Sequence, residues 1–425
     1  MKGDKTVAEE RKIRPIGPED VEQYLEVYLN AYPAFKSLDD ECRQFYREKT
    51  IFDMTNDKEV DFIGMFDGEK LISTMKLVNF QMNVYGEMQP AVGLMSLAVH
   101  PLFKKQGVAL AMVRYYEAYA AERSDIAVLL PFRMDFYRKM GYGLGGKMDE
   151  YHIPTLHLPK CKDLSHIRLL SREDIDAVLA CHTAFAKANH GMLIKYEEEI
   201  RDMRADESTI RVGYEEGGEL VGYAAYHFAQ ENDVNYTMNR IVVDELIYSS
   251  GTVLRTLLGY LRNQADLAET IVIRSGEEDF YHLLPDAADV SGNYIPFGYL
   301  QTNVSAMGNM YKVMDPEKFV AHTDYRQFPA IDKTVRFRYL DEMANEEKSL
   351  TVAFADGKWS VAKEDAKVDA TVTCAMSDLS ALLMNCGRLA SFVRLGVMEI
   401  DNPAETPMLD MLLYYAQKPF SNSDF

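Results

Sequence analysis

The segment from Ser96 to Glu122, SLAVHPLFKKQGVALAMVRYYEAYAAE, constrains this chain most. A buried strand, expected from Ala91 to Val99, runs through His100-Pro101 into a short basic turn. Gly107 follows, and a helix is expected from Gly107 to Arg123. A helix begins with N–H groups that lack intrahelical acceptors, so its first turn carries partial positive charge. Lys104 and Lys105 add full charges, and Gly107 allows a backbone to approach a ligand closely. Such a junction suits a diphosphate. Solvated surface loops carry the same residues, so the order of the surrounding elements must carry the argument.

That order is mixed α/β. Ile13 to Pro15 reads as a strand, and Pro18-Glu19-Asp20 opens a helix. Asp61 to Phe66 and Leu71 to Asn83 flank Asp67-Gly68, a hairpin signal. After the Gly107 helix come a short buried strand, Ile126 to Leu130, and a helix from Phe132 to Met140 stopped by Gly141. From Ile167 the order repeats. RVGYEEGGELVGYAAYHF (Arg211 to Phe228) matches DFIGMFDGEKLISTMKLVNF (Asp61 to Phe80) as strand, glycine turn, strand. Ile241 to Ile247, a helix from Thr252 to Ala265 and Ile271 to Arg274 complete a diverged duplication. A third block starts near Pro316. Leu350 to Phe354 and Lys358 to Ala362 flank Asp356-Gly357 as a hairpin. Asp369 to Cys374 is a strand. Helices are expected at Ser377 to Asn385, with Ser377 as N-cap, at Arg388 to Leu395 and at Met408 to Gln417. Three domains are expected: 1–160, 161–312 and 313–425. The length of 425 residues suits that number.

With its neighbours in this order, the Ser96–Glu122 segment resembles motif A of the GNAT superfamily of N-acetyltransferases, Arg/Gln-x-x-Gly-x-Gly/Ala after a strand. Here it reads Lys104-x-x-Gly107-x-Ala109. Lysine at the first position keeps the charge and loses the planar fork of arginine. The resemblance implies acetyl-coenzyme A as cofactor. Its pyrophosphate would rest on the N–H groups of Lys104, Lys105, Gly107, Val108 and Ala109. Its pantetheine arm would pair with the backbone of Leu97 and Val99. Phe136-Tyr137 followed by Gly141-Tyr142 resembles a second local pattern of the superfamily. It implies Tyr137 as the general acid for a departing thiolate, a task within reach of a phenol of pKa about 10. The chain holds 26 tyrosines, so position rather than residue type singles out Tyr137.

The whole chain resembles the Eis (enhanced intracellular survival) family: tandem GNAT folds followed by a sterol-carrier-protein-like C-terminal domain, an α/β (mixed α+β) architecture. The resemblance implies a hexamer. It also implies that the α-carboxylate of Phe425 enters the first domain's active site, with Asp424 adding negative charge. A carboxyl of pKa about 3.5 is a weak base towards an alkylammonium unless burial or a water relay helps it. Tyr32, Phe35 and the acids Asp39, Asp40 and Glu41 form a candidate substrate wall, with an ordinary helix surface as the plainer reading. The second domain's Tyr248-Ser249-Ser250-Gly251 lacks a basic cradle and is expected to be inert towards coenzyme A.

Charge agrees with a cationic substrate. There are 46 Lys+Arg against 66 Asp+Glu, a net −20, and most of the excess lies beyond residue 160. Such a chain repels phosphate backbones, which argues against nucleic acid. Five scattered cysteines form no Cys-x-x-Cys pair and suit a reducing cytoplasm. The nine histidines show no metal spacing. MKGDKTVAEERK lacks an apolar h-region, and no apolar run is long enough for a membrane span. The expected activity is acetyl transfer to amines of small cationic substrates, aminoglycoside- or polyamine-like, by direct attack in a ternary complex. Trp359, the single tryptophan, falls in the third block and leaves the first without a Trp wall, which weighs against aminoglycosides. A protein-lysine acetyltransferase and a carrier of lipid or hydrophobic ligands are the alternatives.

Overall fold

The computed structural model describes residues 11–33, 39–231, 234–235 and 238–423. The apolar strands of the first block build a seven-stranded sheet. β1 (Lys12–Pro15), β2 (Val60–Asp67), β3 (Lys70–Val84) and β4 (Glu87–Val99) run antiparallel, and β5 (Ile126–Leu129) joins β4 in parallel. β3 is buried along nearly its whole length, because helices cover both faces. On one face, Tyr24 and Leu25 of α1 (Val21–Ala31) pack with Phe62, Leu71 and Phe80. On the other, Met112, Val113 and Tyr116 of α3 (Val108–Ala121) pack with Ile63, Ile72 and Met75. α2 (Asp40–Asn56) packs beside α1 and is capped by Asp39, which accepts from the Cys42 N–H at 2.8 Å. Asp40 and Glu41 follow that cap in the exposed first turn of α2, as acids at a helix start do.

The second sheet repeats this order with strands at Ile167–Leu170, Ile210–Glu216, Glu219–Gln230, Asn239–Tyr248 and Ala268–Ser275. The sheets exchange strands across both expected domain limits. α4 (Met134–Arg138) and β6 (Gly143–Leu144) stay with the first block, but β7 (Lys147–Pro154) pairs with Ala268–Ser275 of the second. In return, Met310–Val313 inserts between β5 and β6. Each exchange covers the open side of a parallel strand, so its N–H and C=O groups are paired rather than exposed. The limits at 160 and 312 therefore do not coincide with the sheets.

The third block is a five-stranded sheet, with strands Lys333–Asp341, Glu346–Ala355, Lys358–Val361, Ala370–Ala375 and Glu399–Ile400. Asp356 and Gly357 have φ of 52° and 73°, as a tight hairpin turn requires. The helix expected at Ser377 starts instead at Met376 (Met376–Leu383), with Ala375 before it and no side-chain cap. Ser377 is buried and unable to cap from inside the helix. The last helix, Thr406–Leu413, is shorter than expected, and Tyr414 leaves it in an extended conformation. The helix expected from Phe132 is the short α4. Trp359, Phe319, Leu379 and Leu389 share one core with the α1 face of the first sheet.

Two polar junctions lock the blocks together. At the first, Tyr85 follows β3, His190 belongs to the second block and Met384 to the third. The Tyr85 N–H donates to His190 Nδ1 at 3.1 Å, so Nε2 carries the proton and donates to the Met384 carbonyl at 3.0 Å. The imidazole also stacks on Tyr85 at 4.6 Å. At the second, Lys76 of β3 is buried with its Nζ 3.0 Å from Glu198, on the second block's helix Glu197–Ala205. Lys49 reaches Glu198 at 3.2 Å, and Arg201 reaches Asp53 at 2.5 Å.

Both junctions are testable. Lys76→Met leaves Glu198 with Lys49 as its remaining cation, so the variant is expected to lose about 1.5–3 kcal/mol in urea unfolding, the worth of a charged hydrogen bond. Burial pushes the pKa of His190 down to about 4, and that of His182 as well. The unfolded chain therefore binds protons below about pH 6.5 that the folded chain refuses. Stability is expected to fall as pH drops from 6.5 towards 4, and the loss over that window is expected to be smaller in His190→Gln.

Candidate active site

The site begins where β4 stops pairing with β5. The two strands pair only at Val92, Gly93 and Leu94. Ser96 then adopts φ 54°, and the register with β3 slips between Thr74 and Lys76. A non-glycine residue in the left-handed region within a strand marks a bulge. Beyond it, Met95 to Val99 diverge from β5, and the two parallel strands form a fork. The Tyr32 hydroxyl, at the end of α1, donates to the Leu97 carbonyl at 2.7 Å. Tyr32 therefore sits at the fork, and one of the Leu97 backbone groups expected to face a ligand already has a partner. Val99 remains paired with Ser73 on the β3 side.

The loop after β4 carries the basic turn. His100 Nδ1 accepts from the Leu102 N–H at 3.3 Å and fixes the chain's exit from the strand. Lys105 and Gly107 have φ of 61° and 79°. A side chain at Gly107 would meet nothing within 4 Å among the described residues, so glycine serves there for its backbone angle. Among the described residues, the N–H groups from Lys105 to Leu110 have no acceptor. Lys104 and Lys105 are exposed. Val108 turns its side chain into the core, so it offers the loop only its N–H.

Tyr137 lies on α4, just past β5. It is 3% exposed and ringed by Phe132, Phe136 and Tyr142 at centroid distances of 6.4, 5.1 and 6.0 Å. Burial pushes its phenol pKa well up, and the nearby phenol of Tyr32 pushes it further. Its hydroxyl has no hydrogen-bond partner among the described residues. The structure thus brings Tyr32, Leu97 and Tyr137 to one place. Phe35, Asp424 and Phe425 lie outside the described residues.

A cavity of about 400 Å³ opens beside Met95, next to the bulge. Its charged lining comes from the second block and was not singled out in the sequence. Glu198, Glu199, Asp202, Asp206, Asp244 and Glu245 face Lys195 and Arg211 there, and Asn422 of the C-terminal segment closes one side. Burial pushes Glu199 up to about 7 despite Lys195 at 3.8 Å, and Glu199 accepts from the Ser423 hydroxyl at 3.2 Å. Burial also pushes Glu245 upward, but Lys195 at 3.1 Å outweighs it and holds that carboxyl below its usual range. The sequence signal was the run YEEEIRDMRADE, from Tyr196 to Glu207, which reads as a solvated helix when taken alone.

In the second block the corresponding helix, Gly251–Arg262, is capped by Ser250, whose Oγ accepts from the Val253 N–H at 3.3 Å. No lysine stands in that turn.

Two acetyltransferase (GNAT) domain models match the chain, at residues 12–145 and 191–301. No curated protein compared with the sequence matches it. Among solved structures, a GCN5-related N-acetyltransferase from Kribbella flavida is similar at 18% identity and a TM-score of 0.76, over 99% of this chain and 100% of that one. A GCN5-related N-acetyltransferase from Anabaena variabilis is similar at 14% identity and a TM-score of 0.79, over 98% and 100%. Eis1 from Mycobacterium abscessus is similar at 18% identity and a TM-score of 0.75, again over 98% and 100%. No helix among the described residues is long and apolar enough to cross a membrane. With two GNAT domains that together cover more than half of its length, and a fold shared end to end with Eis1, the chain belongs to the GNAT N-acetyltransferases.

Proposed function

We propose that this enzyme moves an acetyl group from acetyl-coenzyme A to a primary amine of a small polycation, of the polyamine or aminoglycoside kind. The observation that carries the substrate class is the acidic cavity beside Met95, where Glu199, Asp206, Asp244 and Glu245 line the wall with Lys195 and Arg211, while Glu198 and Asp202 are paired with Lys49 from outside it. The donor side fits as well. Among the described residues the N–H groups from Lys105 to Leu110 lack acceptors, and the exposed Lys104 and Lys105 add charge for a diphosphate. The fork beside Leu97 and Val99 suits an extended arm. Acetyl-coenzyme A supplies the acyl group in activated form, as a thioester.

The protein's part is positioning and proton handling. Tyr137, whose phenol burial keeps protonated at neutral pH, serves as the acid for the leaving thiolate. The acidic wall holds the ammonium. The tail enters this wall at Asn422 and Ser423, so Asp424 and the Phe425 carboxylate follow within two residues of Glu199's partner. They are read as part of the group that binds the cation and takes its proton. In this reading residues up to about 160 carry the chemistry. The third block, read as sterol-carrier-like, supports the tail, and its helix residues Leu379, Leu382 and Leu389 are spent in the common core.

A thiol-release assay with spermidine, an aminoglycoside and a lysine peptide tests the reading. Transfer to the small polycations is expected, transfer to the peptide alone would favour a protein-lysine acetyltransferase, and no release with any amine would end the proposal. Tyr137→Phe is expected to lower kcat by about 10²–10⁴ with the Kd for acetyl-coenzyme A nearly unchanged. A tag appended after Phe425 is expected to abolish transfer and spare donor binding.

The raised Glu199 carboxyl gives a pH test. It is neutral below about pH 7 and charged above. The charge of a bis-quaternary ammonium ligand does not titrate. Such a ligand is expected to bind more tightly at pH 8 than at pH 6, by roughly three- to tenfold, on the order of 1 kcal/mol. Glu199→Gln is expected to flatten that dependence in calorimetry. The neighbouring Lys195, Glu198 and Glu245 remain in the variant to set the baseline.

A further inference from the structure

The second GNAT domain repeats the fork of the first. Its strand Asn239–Tyr248 pairs with Ala268–Ser275 only as far as Val243, and the register with Glu219–Gln230 slips at Asp244. Beyond that point Leu246 and Tyr248 face a cavity of about 340 Å³, whose opposite side is formed by Ser275, Gly276 and Phe280. In the first domain the corresponding space is the donor's side of the fork. Here Phe420, from the protein's own C-terminal segment, forms part of its wall. A Cβ built on Gly276 would lie 2.7 Å from Phe420 Cβ and 2.8 Å from its Cγ. The Phe420 ring packs edge-on against Phe185 at 6.2 Å. On the other side, a Cβ on Gly191 would lie 2.6 Å from both Phe420 N and Pro419 Cα.

The backbone is held as firmly. The Phe420 N–H donates to the His190 carbonyl at 3.2 Å. Just upstream, Gln417 accepts from the His190 N–H at 3.1 Å and donates to Asn189 at 3.1 Å, and Lys418 pairs with Glu278 at 2.7 Å. Just downstream, Asn422 lines the acidic cavity and the Ser423 hydroxyl donates to Glu199. Three residues of extended chain span at most about 10 Å, so an anchor at Phe420 leaves Ser423 no other region to visit.

We propose that the fork of the second GNAT domain is a socket for Phe420, and that this anchor positions the tail as a wall of the acceptor pocket beside the first domain's fork. The duplicated domain then keeps the shape of a donor cleft and uses it to hold the chain's own end. Phe420 is a positioning residue in this scheme, since it acts through Asn422 and Ser423. The kinetic part rests on the reading of the acidic cavity as the amine site, and the anchoring part does not.

The test uses the full-length enzyme with Phe420→Ala, Gly276→Val and Phe420→Leu. Gly276→Val crowds the ring without altering the tail. Hydrogen exchange read by mass spectrometry is expected to show the 417–425 peptide protected in the wild type. In Phe420→Ala and Gly276→Val it is expected to exchange freely, with the rest of the chain unchanged. In the same two variants the KM for the amine is expected to rise at least tenfold, with the Kd for acetyl-coenzyme A within twofold. Phe420→Leu is expected to return the amine KM to within threefold of wild type, which a merely destabilising change would not do. A tail that stays protected in both disrupting variants overturns the socket. A released tail with an unchanged amine KM overturns its positioning role. If the wild type acetylates no amine, the proposed function fails instead, and affinity for the quaternary ammonium ligand replaces KM as the second readout.

Discussion

At Ser96 the backbone of β4 passes through φ 54°, and the hydrogen bonds to β5 end two residues earlier. A left-handed residue other than glycine costs on the order of 1–3 kcal/mol and persists only where its surroundings enforce it. Here they do so from both faces of the sheet. The α1 core lies on one side, with Tyr32 bonded to the Leu97 carbonyl, and the α3 core lies on the other. Packing therefore holds open a gap that strand pairing would otherwise close.

The same interruption occurs twice in one chain, and its two copies differ in what surrounds them. In the first, two lysines and a glycine precede a helix whose first N–H groups have no acceptor among the described residues. In the second, Ser250 caps the helix and satisfies one of those donors. An anion gains little at the second site and much at the first. The second fork is lined by an apolar ring, at a site that offers an anion no lysine. The duplicated domain contributes the acids that the first lacks near its fork.

Much of this was legible in the residues. The strand, basic turn, glycine and helix around Gly107 form a local pattern, and local patterns survive in sequence. Asp67-Gly68 and Asp356-Gly357 announced their turns for the same reason. The exchange of β7 for Met310–Val313 was hidden, because which edge a strand covers is settled by residues more than a hundred positions away. Ser377 suggested a cap, yet the helix begins one residue before it and buries it. Asp39 to Glu41 suggested a substrate wall and belong to the cap and first turn of α2. Four acids of the cavity beside Met95 lie in a run of charges that alternates like any exposed helix, and only its docking against the first domain makes it part of a cavity.

Glu198 and Glu199 show how that docking works. Adjacent residues on a helix point about 100° apart. Glu198 points into the seam, where burial would raise its pKa but Lys76 and Lys49 outweigh the burial and hold it below its usual range. Glu199 points into the cavity, where Lys195 at 3.8 Å does not outweigh the burial, and it rises to about 7. One carboxylate is fully compensated and ties two domains together. The next is undercompensated and has charge to offer a ligand. The seam must be satisfied by the protein itself, since an unpaired charge there would separate the blocks. The cavity can leave a carboxylate short of cations, because an incoming ammonium completes the pairing. A cationic substrate of the proposed kind would thus meet a site whose electrostatic deficit is set by the same helix that closes the fold.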